Sequence, residues 1–289
     1  MRLDHNQQQR RRIMSVNVNE MTFGIEIETT VPYGTVQVGG HGHGRQVPWL
    51  PAGWLADRDP SIHADVAGHE ACEFVSPVLK GKEGIKQMIA AIREIIAKGG
   101  KVNASCGLHI HVGFDKRNAV ALRKLVAMVA NFEKAIYAQT GTKARENGRW
   151  CSGLSRYGSL DRAMQHRTAT RYYIVNTITD KPTVEFRPFA ATLNVTKILG
   201  HVLTVIGMVE KTLASTRTAQ FTAKVPKPTS PIARKGEGQT ALCRLYYALG
   251  WTKGRESHTF GDLFVEDGPT IKEVKRELMR LAKKYDARA

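Results

Sequence analysis

Phe23-Gly24-Ile25-Glu26-Ile27-Glu28 sets the reading of this chain. In an extended strand successive side chains alternate between faces. Glu26 and Glu28 therefore share one face, and Ile25 and Ile27 share the other. Two carboxylates a few ångströms apart repel unless a cation lies between them. A single Glu-x-Glu is more commonly an exposed sheet face with solvated acids. The weight therefore falls on what other strands add.

Three more segments place ionisable side chains where a purely structural strand would carry apolar ones. In Cys72-Glu73-Phe74-Val75-Ser76-Pro77, one Glu interrupts an apolar run. In Gly107-Leu108-His109-Ile110-His111-Val112-Gly113, the two His share one face. In Thr183-Val184-Glu185-Phe186-Arg187-Pro188-Phe189, Glu185 and Arg187 share one face, opposite Val184 and Phe186. If these strands lie side by side, one sheet face collects Glu26, Glu28, Glu73, His109, His111, Glu185 and Arg187. Carboxylates dominate that set and no thiol pair accompanies it, which suits Mg²⁺, with Mn²⁺ as the alternative ion. Arg187 beside Glu185 suits a phosphate near the metal, because a guanidinium pairs bidentately with phosphoryl oxygens.

Around these strands the pattern predicts helices over 82–98, 116–139, 194–214, 240–249 and 270–285. A further short strand is expected over 172–177. The Gly/Pro-rich stretch 31–60, with Gly-Gly-His-Gly-His-Gly at 39–44, reads as a flexible loop. The polar, basic segment 143–171 reads as a long loop or lid with short helical turns. The expected organisation is a basic flexible arm (1–20), a catalytic domain (21–214), a basic linker (215–238) and a basic helical C-terminal extension (239–289).

The chain has 289 residues and a net charge of +17, from 43 Lys and Arg against 26 Asp and Glu. That balance favours polyanionic partners such as nucleic acid, through the basic ends, and says nothing about fold. Cys72, Cys106, Cys151 and Cys243 form no Cys-x-x-Cys pair, as expected for reduced thiols in a cytoplasmic location. Cys106 reads as a packing residue. The longest strongly apolar run, 198–209, is too short to span a bilayer, so no membrane partner is expected. Neither a Walker-type loop nor a Gly-x-Gly-x-x-Gly opening a helix is present, which argues against those two nucleotide sites.

The segments FGIEIE (23–28), DPSI (59–62), EFVSP (73–77), GLHIHV (107–112) and TVEFRPFAATLN (183–194) together resemble the amidoligase family. That family belongs to the carboxylate–amine ligase superfamily, with glutamine synthetase and glutamate–cysteine ligase. The resemblance implies an α+β, glutamine-synthetase-like fold: a curved, mainly antiparallel sheet with helices packed on its convex face and ATP in its concave one. It implies Mg²⁺ held by Glu26, Glu28, Glu73, His109 and Glu185. It places Arg187, Glu28 and Asp59 in catalysis, with Asp65 as a competitor for the role of Asp59. His109, His111, Arg171, Asn176 and Arg187 would line the nucleotide. The implied substrates are carboxylate- and amine-bearing small molecules or peptides, joined through an acyl phosphate. Relatives with this fold often form homo-oligomers.

Two other readings stand beside this one. A zinc-dependent hydrolase would use His109 and His111 as ligands, although the chain beyond them is too short and too helical for a barrel of eight strand–helix units. A nucleic-acid-binding or scaffold protein with a degenerate core would explain the basic ends. It would leave the carboxylate strands unexplained.

Overall fold

A computed structural model describes residues 16–146, 148–221, 240–252, 255–256 and 263–287. The expected arm up to residue 15 and nearly all of the expected linker (222–238) lie outside the described residues.

The centre of the fold is β1 (Thr22–Pro32), which begins where the Phe23–Glu28 alternation begins. It pairs antiparallel with β4 (His69–Val75) on one side and with β6 (Gly107–Gly113) on the other. β8 (Thr183–Ala190) follows β6, and β7 (Val175–Asn176) closes that edge. At the opposite edge β3 (Leu55–Asp57) pairs with β4, and β2 (Arg45–Gln46) with β3. The order is therefore β2-β3-β4-β1-β6-β8-β7, with β5 (Leu79–Lys80) pairing with the start of β1. Every pair is antiparallel.

β2 and β3 fall inside the stretch read from sequence as loop. Strands of two and three residues are too short for alternation to register against flanking Gly and Pro. Their consequence is functional, because β3 brings Asp57 opposite Glu73.

One face of the sheet is apolar. Ile25, Ile27, Leu108, Ile110, Val112, Val184 and Phe186 are all buried there. Each such side chain contributes about 1.5–3 kcal/mol when fully removed from water. Helices supply the cover. Buried Ile85, Met88, Ile89, Ile92 and Ile95 recur at helical spacing along α1 (Gly81–Ala97). α2 (Ala119–Ala138) starts at Asn118, whose side chain accepts from Ala121 N at 3.0 Å. A short α3 (Leu160–His166) lies within the basic 143–171 segment. α4 (Val195–Ala214) runs against β6 and is capped by Asn194.

α4 is apolar nearly all round, which requires cover on more than one side. α5 (Ala241–Leu249) and α6 (Ile271–Asp286) provide it. A Cβ at Gly200 would meet the Leu278 side chain of α6 at 2.9 Å, so glycine there permits the close approach. Leu242, Leu245, Leu278 and Tyr285 thus join the same core as the sheet. A Thr270–Glu273 capping box starts α6.

His201 lies on α4, 2% exposed and stacked on Phe189 with ring centroids 4.3 Å apart. Burial pushes its pKa from an ordinary 6.5 down to about 3. The imidazole is neutral in both folded and unfolded chains above pH 6.5, so it adds no pH dependence there. Below that, the unfolded chain takes up a proton that the folded chain refuses. Stability is expected to fall by up to about 1.4 kcal/mol per pH unit from this group as pH drops from 6.5 toward 3. His201→Phe should flatten that stretch of a urea-midpoint-against-pH curve. An unchanged slope would show that His201 carries none of it.

Candidate functional site

The polar face of the sheet follows from the register. Glu26 stands opposite His109, Glu28 opposite Glu73, His111 opposite Glu185, and Glu185 opposite Asn176. The strands lie side by side, and all seven side chains named from the alternation come to one face. Glu28, Glu73, His109, His111 and Glu185 are buried.

The His rings sit among carboxylates. His109 Nδ1 is 3.4 Å from Glu26 Oε2 and 3.6 Å from Glu185 Oε1, while its Nε2 is 3.6 Å from Glu28 Oε1. His111 Nε2 lies 3.1 Å from Glu26 Oε1, and its Nδ1 is 3.1 Å from Thr183 Oγ1. Gly107 N donates to Glu28 Oε2 at 2.6 Å, and Asn176 Nδ2 donates to Glu185 Oε2 at 2.7 Å. Arg187 pairs with Glu185 through Nη1, and its Nε donates to Trp150 O at 3.3 Å.

β8 departs from regular pairing at Arg187 and Pro188. β6 and β8 pair Leu108 with Phe189 and Ile110 with Phe186, so Arg187 and Pro188 together oppose His109. The extra residue is a β-bulge. It returns Phe189 to the apolar side while Glu185 and Arg187 stay on the polar one. Pro188, which has no N–H to give a ladder, is tolerated at such a site.

The charges respond to this crowding. Burial raises the Glu26 carboxyl, but hydrogen bonds and charge from His109 and His111 outweigh it and hold it well below its usual range. Glu185 shows the same contest: burial raises it, and His109, Arg187 and His111 bring it below its usual value. Glu73 is pushed up to about 9, first by burial and then by Glu26, Glu28, Asp59 and Asp57. Glu73 thus sits in a cluster of negative charge that a cation would relieve.

Among the described residues, three overlapping groups have ligand atoms within 4.8 Å of one another: Glu26–His111–Glu185, Glu26–Glu73–His109 and Glu28–Asp59–Glu73. Carboxylates make up most of each donor set, which fits a hard divalent ion such as Mg²⁺ or Mn²⁺.

Asp59, on the loop after β3, reaches the Glu28–Glu73 end of the face. Asp65 is exposed and held by Asn103 Nδ2 at 2.8 Å, and belongs to none of the three groups. Arg171 lies at the rim, its guanidinium 5.3 Å from the Tyr172 ring centre and within the field of Glu185 and Asp59. Cys106 is buried and hydrogen-bonded to Asn103, and burial pushes its thiol up. That makes it a poor nucleophile.

Several residues escaped the sequence reading. Asp57 is buried beside Glu73, and its Oδ2 accepts from Gly42 N at 2.8 Å, tying the Gly–His loop to the sheet. Lys181, in the turn between β7 and β8, places Nζ 3.3 Å from Glu26 Oε1. Trp150 and Tyr172 meet edge to face at 4.8 Å beside Arg187. Arg145 Nη2 donates to Cys106 O at 2.7 Å, next to Gly107 and Glu28. The adjacent Glu146 is held by Lys134 at 2.5 Å and by the Tyr285 hydroxyl of α6, so the C-terminal helix braces this loop. None of these has a period or a motif. Only Asp57, two residues before Asp59 in a short apolar run, left a local trace.

Residues 55–157 match the family described as "Putative amidoligase enzyme". No curated protein sequence matches the chain. Among solved structures, the bifunctional glutathione synthetase from Pasteurella multocida aligns at 12% identity with a TM-score of 0.48, over 99% of this chain. The chain spans 50% of that protein's length. The ligase PafA, in its complex with the prokaryotic ubiquitin-like protein Pup, aligns at 14% identity and a TM-score of 0.40, over 95% of this chain and 65% of PafA. A glutamine synthase homolog aligns at 12% identity and a TM-score of 0.38, over 93% of this chain and 67% of its own. Over residues 55–157, about a third of its length, the chain is thus similar to the amidoligase family.

Proposed function

We propose that this protein is an ATP- and Mg²⁺-dependent carboxylate–amine ligase that forms an amide through an acyl phosphate. The observation that carries the reading is the single sheet face on which Glu26, Glu28, Glu73, Glu185, His109 and His111 converge, with the Arg187 guanidinium at one end. Phosphoryl transfer needs positioning and charge neutralisation more than covalent help from the protein. A face rich in metal ligands with an adjacent guanidinium answers that need. The curved, glutamine-synthetase-like form of the sheet belongs to the same reading.

In this scheme Glu26, Glu28, Glu73, Glu185 and His109 hold the divalent ions. Bound there, the ions would screen the triphosphate and draw charge from its γ-phosphoryl group. Arg187 contacts that group, with Glu185 and the Trp150 carbonyl fixing its guanidinium. His111, Asn176 and Arg171 line the nucleotide side. An oxygen of the substrate carboxylate bonds to the γ-phosphorus as the bond to ADP breaks. The amine nitrogen then bonds to the acyl carbon, phosphate leaves, and the nitrogen loses a proton. We assign that proton to Asp59, half-buried at the Glu28–Glu73 end. Among the described residues no candidate ligand group joins both His rings, which disfavours the two-His zinc site of the hydrolase reading.

The test is chemical. Protein, ATP and Mg²⁺ are incubated with hydroxylamine and a panel of amino acids and acidic peptides, and ADP and hydroxamate are measured. The expected result is equal amounts of the two for one class of carboxylate. No carboxylate-dependent ADP release across the panel would overturn the ligase reading.

A further inference from the structure

Lys181 stands apart from the side chains that carry the proposed reaction. Its Nζ is 3.3 Å from Glu26 Oε1, the same oxygen that lies 3.1 Å from His111 Nε2. Glu26 is also common to two of the three candidate ligand groups. A lysine ammonium and a divalent ion cannot both occupy the space against that oxygen, because like charges at such range repel.

The backbone and the side chain of Lys181 are held very differently. Lys116 Nζ donates to Lys181 O at 2.7 Å and also bonds the Thr179 carbonyl. Phe114 N donates to Pro182 O at 3.0 Å, tying the turn to the end of β6. The turn is thus pinned from β6 and from the segment that follows it. The Lys181 side chain is 58% exposed, against 17% for Glu26. It is a long, rotatable cation on a fixed base, at the open edge of the face.

We infer that Lys181 is a movable cation of the nucleotide site. It neutralises Glu26, yields that oxygen to a divalent ion, and then pairs with phosphate oxygens brought in with the nucleotide. This rests on the proposed metal–nucleotide reading and adds a residue to it. The step exchanges one ion pair for another, with no bond made or broken. It predicts effects of opposite sign. Lys181 competes with the metal alone and cooperates with the metal–nucleotide complex.

The test uses the full chain and Lys181→Ala, with Lys181→Arg as the charge-preserving control. Mn²⁺ alone is titrated by calorimetry and by loss of its free-ion electron paramagnetic resonance signal. Mn²⁺–ADP is then titrated in the same way. Alanine is expected to tighten Mn²⁺ binding about twofold to fivefold, the range of a partly exposed ion pair. It should weaken Mn²⁺–ADP binding about tenfold, as the loss of a charge-assisted phosphate contact does. Arginine should restore nucleotide affinity to within about threefold of the parent, since either cation can pair with phosphate. Unchanged or weaker Mn²⁺ binding by Lys181→Ala, beside normal binding by the parent, would overturn the inference and leave the metal site standing. So would unchanged Mn²⁺–ADP binding. Failure of the parent to bind Mn²⁺ at all would overturn the metal-site reading and this inference together.

Discussion

Glu26→Gln is expected to cut ATP-dependent hydroxamate formation about 10³-fold, the scale of several kcal/mol that a correctly held metal supplies to developing charge. Glu26 is the hub of the face. Its two oxygens lie 3.4 Å from His109 Nδ1, 3.1 Å from His111 Nε2 and 3.3 Å from Lys181 Nζ. Gln keeps the shape and removes the charge. The amide still has an oxygen to accept from an imidazole, so the sheet register should persist. An apparent melting temperature within about 5 °C of the parent would correspond to a change of no more than about 3 kcal/mol for a chain of this size. Mn²⁺ affinity should fall with the rate. A Glu26→Gln protein retaining more than a tenth of the parental rate would show that Glu26 is no essential ligand. Unchanged Mn²⁺ affinity beside a lost rate would instead place Glu26 in the chemistry and not in metal binding.

Much of this face was legible because strand periodicity is rigid. Once Phe23–Glu28, Gly107–Gly113 and Thr183–Phe189 are recognised as strands, alternation alone puts Glu26 with Glu28, His109 with His111, and Glu185 with Arg187. The cross-strand register was not legible. It depends on which strands pair and on the bulge opposite His109, and neither leaves a local pattern. Asp57 shows a second limit. It lies on a three-residue strand whose position is set by pairing with β4 rather than by its own residues. Lys181 and Arg145 show a third. Each reaches the site from a loop, and a loop cation near the face looks in sequence like any of the 43 Lys and Arg of this basic chain. The apolar character of α4 was plain, and its reason, cover by α5 and α6 as well as by β6, is a fact of tertiary packing.

Arg187→Ala carries the second large effect, an expected loss of about 10²–10³ in kcat, the usual cost of removing a fixed cation from developing negative charge. The structure gives this residue an orientation that alanine cannot mimic and lysine mimics poorly. Nη1 is anchored to Glu185, Nε to the Trp150 carbonyl, and the guanidinium lies 5.9 Å from the centre of the Tyr172 ring. A planar fork fixed at two of its nitrogens can present the remaining N–H groups to a phosphoryl oxygen without further ordering. Lysine keeps the charge but not the fork, so Arg187→Lys should recover only part of the loss. A purely structural role would also predict damage, because Glu185 would lose a partner in a buried setting. Two readouts separate the cases. Added guanidinium ion should restore a measurable share of kcat to Arg187→Ala if the missing group acts on the phosphoryl group, and none if the fold has shifted. The Mn²⁺ affinity of Arg187→Ala should stay within about threefold of the parent, because Glu185 keeps its bond from Asn176 and its place among the proposed ligands. A parental kcat in Arg187→Ala would remove the guanidinium from the reaction and leave the face a metal site without a phosphate partner.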